Sequence, residues 1–254
     1  MPPRPDRLLS AIGVVPPLLL LALAVGIWEA YVQASDINPT TLPAPSRILE
    51  SALDNRSQLW DHSLITLQEA IIGLCFSVAL GVLFALLIDQ SAILRRALYP
   101  LLVSSQTIPI VAIAPLLVLW FGFDLTPKII VVTLYTFFPI TVAFASGLAA
   151  TDREAMVLLH TLGASRWQAL LVLRVPQALP YLFTGLRIAV TYAVVGAVFG
   201  EWSGAREGLG IYILLMKNSF RTDLVFAAIF VTALLSLLLF LLVNLLERLV
   251  VRWR

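Results

Sequence analysis

Residues 64–88 have the sequence LITLQEAIIGLCFSVALGVLFALLI, an apolar run with few polar interruptions. A helix needs about 20 apolar residues to cross the hydrocarbon core of a bilayer, and this run is long enough. It contains one acidic residue, Glu69, and no basic residue. The run therefore predicts a transmembrane helix, and other apolar runs of similar length in the chain predict further ones.

Five further runs of this kind follow the same pattern. The chain of 254 residues is 60% apolar and only 13% charged, with a mean hydropathy of +0.94. Soluble domains carry roughly a quarter charged residues, so lipid must cover part of this surface. We predict an all-α polytopic membrane protein with about six transmembrane helices, in which one helix precedes a five-helix core. The five further runs lie at about residues 11–31, 98–121, 128–150, 181–199 and 224–246.

The first run has an alternative interpretation as a secretory signal peptide. Arg4 and Arg7 precede it, and Val32-Gln33-Ala34 is similar to a cleavage site. Its apolar stretch is longer than the signal-peptide core of about 7–15 residues. We therefore expect a retained helix, with cleavage as the alternative.

The placement of Lys and Arg predicts the orientation, because basic loops resist translocation. If the N-terminus is inside, ten basic residues are cytoplasmic: Arg4, Arg7, Arg95, Arg96, Arg153, Arg166, Arg174, Arg248, Arg252 and Arg254. Six are then outside: Arg47, Arg56, Lys128, Arg206, Lys217 and Arg221. The excess predicts a multi-pass protein of the cell (inner) membrane with both termini in the cytoplasm. The outer connection 33–63 is predicted to hold a short helix over 47–60, capped by Ser46.

The sequence lacks motifs for soluble chemistry. It contains no G-x-x-x-x-G-K-[ST] phosphate loop and no G-x-G-x-x-G after a strand, so any ATP that drives it must bind another chain. His62, His160 and Cys75 show no metal-ligand spacing. We assign no catalytic residue, metal site or cofactor to this chain.

The inner connection 151–180 has a helix–glycine–helix pattern. Thr151 or Asp152 can cap the first helix, and Gly163 can end it by adopting a positive φ. A second helix is predicted from near Ser165 to a point before Pro176. Four residues of the first helix at spacings of three and four form an apolar face: Ala155, Leu158, Leu159 and Leu162. Surface-bound helices are usually rich in Lys and Arg, and this one is not, so a groove on a partner protein is favoured over the membrane surface.

This connection resembles the coupling loop of binding-protein-dependent ABC importer permeases, through Leu162-Gly163-Ala164-Ser165, Pro176 and Leu179-Pro180. Further motifs are similar to the nitrate/sulfonate/taurine branch of that family, and residues 41–253 carry the resemblance. They are Thr41-Leu42-Pro43-Ala44-Pro45-Ser46, Ile108-Pro109, Ala114-Pro115-Leu116, Trp120-Phe121-Gly122, Gly185-Leu186-Arg187-Ile188-Ala189 and Gly208-Leu209-Gly210. Val157-Leu158-Leu159 stands where the family has Glu-Ala-Ala. That apolar triplet, with Gly200-Glu201-Trp202, looks most like permeases for thiamine pyrimidine precursors.

The resemblance implies a permease subunit, not an enzyme, that works with cytoplasmic ABC ATPases, an extracytoplasmic solute-binding protein and a second copy of itself. It implies that the loop contacts the ATPase through Glu154, Ala155, Leu158, Leu159, Leu162, Gly163, Ala164 and Ser165. Glu154 lies one helical turn before the position of the family's acid and is a candidate replacement for it. The domains expected are 1–63, the first helix and outer connection, and 64–254, the permease core.

Polar residues within the predicted spans are candidates for the translocation path, since charges at membrane depth are costly. Pro109 and Pro115 lack amide donors and are expected to bend or break the third span, with Gln106 and Thr107 beside the break. Arg187 either lines the path or has a structural place, in which it reaches the cytoplasmic interface or pairs within the bundle. Glu69 and Asp89 are expected to be interfacial or structural. The candidates for the path are Gln106, Thr107, Pro109, Arg187, Tyr192 and Glu201.

The sequence thus predicts passage of a small polar solute, such as a thiamine pyrimidine precursor. Nitrate, sulfonate or taurine-like anions are the alternative solutes. An ion-coupled secondary transporter and a structural scaffold are the alternative classes. The first usually shows internal repeats, which are absent here, and the second leaves the broken span and the glycine turn unexplained.

Overall fold

The computed structural model describes residues 6–35 and 37–252, and their side chains from residue 15 onward. Arg4, Trp253 and Arg254 and the side chain of Arg7 lie outside this description. The described part is helical. Its helices are α1 (Asp6–Ala34), α2 (Pro45–Asp54), α3 (Arg56–Gln90), α4 (Ala92–Thr107), α5 (Ile110–Phe121), α6 (Leu125–Ala149), α7 (Arg153–Thr161), α8 (Arg166–Ala169), α9 (Val175–Trp202), α10 (Leu209–Asn218) and α11 (Thr222–Val250).

The described helices confirm the predicted spans. Five stretches are long and apolar enough to cross a membrane: Val15–Ala34, Arg56–Gln90, Leu125–Ala149, Arg166–Trp202 and Thr222–Val250. Helices α4 and α5 form a sixth candidate span, which is bent by 95° at the break between them. The apolar runs in the sequence therefore located these spans, and the helices extend a few residues beyond most of the predicted limits.

One compact unit comprises the residues up to Ser57 together with Ile213–Ile229. The Glu29 carboxylate on α1 accepts hydrogen bonds from the backbone N–H (3.0 Å) and hydroxyl (2.7 Å) of Ser46. Ser51 of α2 donates to Asp223 over 2.6 Å. Polar side chains thus fix α2 within this unit.

The predicted outer helix 47–60 is wrong at both ends. Helix α2 begins at Pro45, which suits the first turn because proline needs no amide donor there. It ends at Asp54, and residues 56–60 belong to α3. Ser46 does not cap the helix, because its hydroxyl is engaged by Glu29 instead.

The second unit comprises Gln58–Tyr212 and the described residues from Phe230 onward. It contains nearly all of α3, the helices α4 to α9, and α11 from Phe230 onward. Helices α6 and α9 pack along each other, and small residues allow the helices to approach closely. A Cβ on Gly81 of α3 would lie 2.7 Å from Ile140 of α6, and one on Gly185 of α9 would lie 2.7 Å from the Pro139 carbonyl oxygen. Neither glycine could be enlarged unless these helices moved apart.

The prediction that the second loop helix ends before Pro176 is wrong. The chain stays helical from Arg166 to Trp202, through a π-helical segment at Leu170–Arg174. Pro176 falls in the first turn of α9, directly after that segment. The amide donor that a proline lacks therefore falls where the regular α-helical hydrogen-bond pattern is already interrupted by the π-helical segment, and the helix continues through Pro176.

Candidate functional site

The turn of loop 151–180 is built as the sequence predicts. Asp152 caps α7 by accepting a hydrogen bond from the Glu154 N–H at 2.9 Å. Gly163 has φ of 80°, and its N–H donates to the His160 carbonyl at 3.0 Å. The Ala164 N–H donates to the Leu159 carbonyl at 3.0 Å, which completes a Schellman closure of the helix.

A capping box begins the second helix of the loop. The Ser165 hydroxyl accepts from the Gln168 N–H at 3.2 Å, and the Gln168 side chain accepts from the Ser165 N–H at 2.8 Å. The sequence analysis placed the start of the helix correctly but missed this pairing. A serine followed three residues later by glutamine is the local signal that would have revealed it.

The four predicted apolar residues of α7 do not share one environment. Leu158 and Leu162 are 60% and 74% exposed, whereas Ala155 and Leu159 are half-buried against the chain. Glu154, Gly163 and Ser165 are exposed, and Ala164 is half-buried. The exposed apolar surface around the turn of the loop, named here the loop patch, consists of Val157, Leu158, Leu162 and Trp167. Leu171 and Val172, further along the loop, are also exposed.

The third span is broken where the sequence predicted a break. Helix α4 ends at Thr107, and Pro109 precedes the first residue of α5. Gln106 and Thr107 are exposed beside the bend, and the Thr107 hydroxyl donates to the Ser104 carbonyl at 2.8 Å. The break expected at Pro115 is wrong, because α5 continues past this proline, as α4 continues past Pro100. The break therefore lies at Pro109 alone among the three.

Arg187 is paired within the helix bundle. Its guanidinium forms an ion pair with Glu247 of α11, and it donates to the Thr184 hydroxyl at 3.0 Å. A longer contact of 3.4 Å reaches Asn244. This is one of the two arrangements that the sequence left open for Arg187.

Tyr192 lies on an exposed stripe of α9 that carries hydroxyl groups. The exposed residues follow helical spacing and include Tyr181, Thr184, Thr191 and Tyr192. Tyr192 also meets the ring of Tyr135 of α6 edge-on, with 5.3 Å between ring centroids. The exposed stripe of α11 differs, since from Leu234 to Leu246 it is formed by leucines. The α9 stripe is therefore less suited to lipid than the α11 stripe.

Glu201, in the last turn of α9, is fully buried, and its carboxylate lies against the first residues of α10. Its carboxylate accepts a hydrogen bond from the Thr66 hydroxyl at 2.6 Å and one from the Gly210 N–H. The carboxyl group of Glu69, which is also buried, lies close to it. A carboxylate at a helix N-terminus satisfies amide donors that the helix leaves free.

The Gly208-Leu209-Gly210 motif makes room for that carboxylate. A Cβ on Gly208 would overlap the Glu201 carboxyl group, and one on Gly210 would lie 2.8 Å from its Oε2. Gly208 also has φ of 118°. The sequence predictions did not connect this motif with Glu201. An acid seven residues before a Gly-x-Gly motif is the local signal that would have connected them.

The ends of α3 and α6 meet the base of loop 151–180. A cavity of about 500 Å³ lies there, lined by Asp89, Gln90, Met156, His160, Arg166, Trp167, Leu170 and Arg174. Asp89 pairs with Arg174 across this region, so its role is structural, as one of the two sequence alternatives held. Within the described part of the chain, no group of three or more His, Cys, Asp or Glu could hold a metal ion.

Comparison with known proteins defines the class. Residues 77–252 match the family of binding-protein-dependent transport system inner membrane components. The formylaminopyrimidine transport permease protein ThiX of Halalkalibacterium halodurans is 45% identical over 94% of this chain and 95% of its own. The riboflavin transport system permease protein RibX of Chloroflexus aurantiacus is 38% identical, over 93% of this chain and 89% of its own. The taurine permease TauC of Escherichia coli is 30% identical, over 92% and 87%.

The fold agrees with this class. A structure of the MetNI methionine ABC transporter in inward-facing conformations superposes with a TM-score of 0.68 over 77% of this chain and 97% of that one, at 18% identity. The chain therefore belongs to the family of binding-protein-dependent inner membrane components. It is the permease subunit of an ABC importer rather than an enzyme, and the family implies ATPase and solute-binding-protein partners.

Proposed function

We propose that the solute is a pyrimidine precursor of thiamine, delivered by an extracytoplasmic binding protein. The observation that carries this proposal is the 45% identity over nearly the whole chain to a formylaminopyrimidine permease, against 30% to a taurine permease. Nitrate, sulfonate or taurine-like anions are the alternative.

Uptake by the reconstituted importer tests the solute. The permease, its ATPase and its binding protein would be placed in vesicles, and uptake of labelled formylaminopyrimidine would be measured with and without excess taurine. We expect uptake that unlabelled formylaminopyrimidine suppresses and taurine does not. Uptake of labelled taurine in place of the pyrimidine would support the alternative.

We propose that loop 151–180 docks on the ATPase. Leu158 and Leu162 of the loop patch are exposed, Leu158 on the nine-residue helix α7 and Leu162 directly after it. A helix of nine residues is too short to be stable alone. The Schellman closure at Gly163 fixes the angle between α7 and the following helix. The contact residues proposed are Glu154, Ala155, Leu158, Leu159, Leu162, Gly163, Ala164 and Ser165.

A charge placed on the loop patch tests the docking. Leu162→Asp should release the ATPase while the permease keeps its heat stability. Burying even an uncharged unpaired polar group costs about 1–3 kcal/mol, roughly 5- to 150-fold in binding, and a carboxylate costs more. Leu159→Asp should lower heat stability as well, since Leu159 is half-buried in the chain. Trp60→Asp is the control, because Trp60 has a similar exposure of 65% and lies near the start of α3, far in sequence from the loop. This variant should retain the ATPase. Full ATPase copurification with Leu162→Asp would exclude the loop patch from docking.

We propose that two copies of the chain enclose the path, because one chain holds one five-helix core. The hydroxyl-bearing stripe of α9 would face the path, and so would the polar residues beside the break in the third span. The residues proposed to line the path are the exposed Gln106, Thr107, Pro109 and Tyr192. The other two candidates, Arg187 and Glu201, are proposed to support the path from within the helix bundle, where both are paired.

The same proposal includes the organisation and orientation of the chain. Residues 1–63 would form the retained first helix and the outer connection, and residues 64–254 the permease core. Both termini would be cytoplasmic, as the excess of basic residues on that side predicts.

A further inference from the structure

Arg174 connects the base of loop 151–180 to two membrane-spanning helices. Its Nη1 and Nη2 donate to the two carboxylate oxygens of Asp89, near the end of α3, over 2.7 and 2.6 Å. Its Nη2 also donates to the carbonyl of Leu148, in the last turn of α6, over 2.9 Å. One side chain thus joins the C-terminal ends of α3 and α6 to the base of the loop.

The ion pair between Arg174 and Asp89 is bidentate and largely shielded from water. A bidentate Arg–carboxylate pair is stronger than a pair of point charges and fixes the angle between its partners. The Asp89 side chain is 8% exposed and that of Arg174 is 22% exposed, so water competes weakly for either. Loss of one partner leaves the other charge buried without compensation, which is costly.

The local backbone at Arg174 is unusual. Arg174 ends the π-helical segment Leu170–Arg174, whose closing bond runs from the Val175 N–H to the Leu170 carbonyl. A π-turn inserts a residue into the α-helical repeat and is found frequently at functional sites. Here it lies between the loop helix α8 and the membrane-spanning helix α9.

Asp89, the second residue of the pair, is close in sequence to the broken third span. Asp89 is two residues before Ser91, whose hydroxyl caps α4 by accepting from the Ile93 N–H at 3.2 Å. Helix α4 then runs to the bend at Ile108-Pro109. A displacement of the loop would therefore reach α3, and through Ser91 it would reach the segment beside Gln106.

We propose that Arg174, held by Asp89, is a positioning residue that makes α3 and the broken span follow the loop when the ATPase closes. This inference rests on the proposed docking of the loop on the ATPase. Docking of the loop on the ATPase is then insufficient for transport. Without the Arg174–Asp89 pair, the loop moves with the ATPase, but α3 and the broken span do not follow it.

The test separates docking from transmission. Asp89→Asn removes one charge at constant size, and Arg174→Gln removes the other with a shorter side chain. The double variant Asp89→Arg with Arg174→Asp reverses the pair. Each would be reconstituted with the ATPase and the binding protein. The measurements are ATPase copurification, ATP hydrolysis and solute taken up per ATP hydrolysed.

We expect each single variant to retain the ATPase and hydrolyse ATP while uptake per ATP falls about 5- to 150-fold, the range of coupling between sites in proteins. The reversed pair should recover a measurable part of that loss. Arg95→Gln, which removes an exposed positive charge from α4, should keep wild-type uptake per ATP.

Several results would overturn the inference. They are wild-type uptake per ATP in both single variants, release of the ATPase by them, or no recovery in the reversed pair. If the single variants do not assemble, Arg174→Lys keeps the charge and loses the bidentate contact, and the inference then requires reduced uptake per ATP in an assembled complex. A wild-type permease that binds no ATPase would instead refute the proposed function on which this inference rests.

Discussion

Gly208→Ala is predicted to destabilise the permease through two separate effects. The first is backbone strain, because Gly208 has φ of 118°, which costs a residue with a Cβ about 1–2 kcal/mol. The second is overlap of the new Cβ with the carboxyl group of Glu201, and overpacking costs about 1–3 kcal/mol. Together they amount to about 2–5 kcal/mol, or roughly 4–20 °C in the unfolding midpoint of a chain this size.

The two effects can be separated with matched variants. Gly122 has φ of 81° and no atom within 4 Å of the position of a Cβ, so Gly122→Ala should show only the backbone effect, roughly 2–8 °C. In a Glu201→Ala background the overlap is removed, and Gly208→Ala should again show only the backbone effect. The coupling between the two sites should thus be about 1–3 kcal/mol.

The assay is the heat-induced loss of the purified permease peak in size-exclusion chromatography, with each variant at the same detergent and protein concentration. If Gly208→Ala lowers the unfolding midpoint equally with and without the Glu201 carboxyl group, the reasoning is refuted. It would mean that the Gly-x-Gly motif is not there to accommodate Glu201.

Three further predictions concern the path and the orientation. Arg187→Ala should lower heat stability and assembly, because it leaves its partner carboxylate buried, and Arg187→Lys should restore both. Reduced uptake at normal stability would instead place Arg187 in the path. Tyr192→Ala should reduce uptake per ATP at unchanged heat stability, since the side chain is 44% exposed, and unchanged uptake would remove it from the path. Single cysteines at Ser57 and Ser165 in a Cys75→Ser background should react with an impermeant thiol reagent in intact cells at Ser57 only, and labelling at Ser165 would reverse the orientation.

Much of the fold followed from local sequence patterns. Apolar runs of sufficient length located the spans, and Pro109 located the break, because both effects depend on a few neighbouring residues. The positive φ of Gly163 was predictable for the same reason. These signals act within a turn or two of the chain.

Several features that were not predicted depend on residues far apart in the chain. Asp89 and Arg174 are separated by 85 positions, and Thr66 and Glu201 by 135. Neither residue of such a pair specifies the other, and an acid near a span end has several possible partners. The continuous helix through Pro176 was missed because the π-helical segment before it has no simple composition signal.

ATP dependence of uptake tests the central claim most directly. Vesicles containing the permease and its ATPase, with the loaded binding protein outside and ATP inside, should accumulate labelled formylaminopyrimidine. Accumulation should cease when ATP is replaced by a non-hydrolysable analogue and should persist when ionophores collapse the proton and sodium gradients. Accumulation that needs an ion gradient and not ATP would contradict the account and identify a secondary transporter.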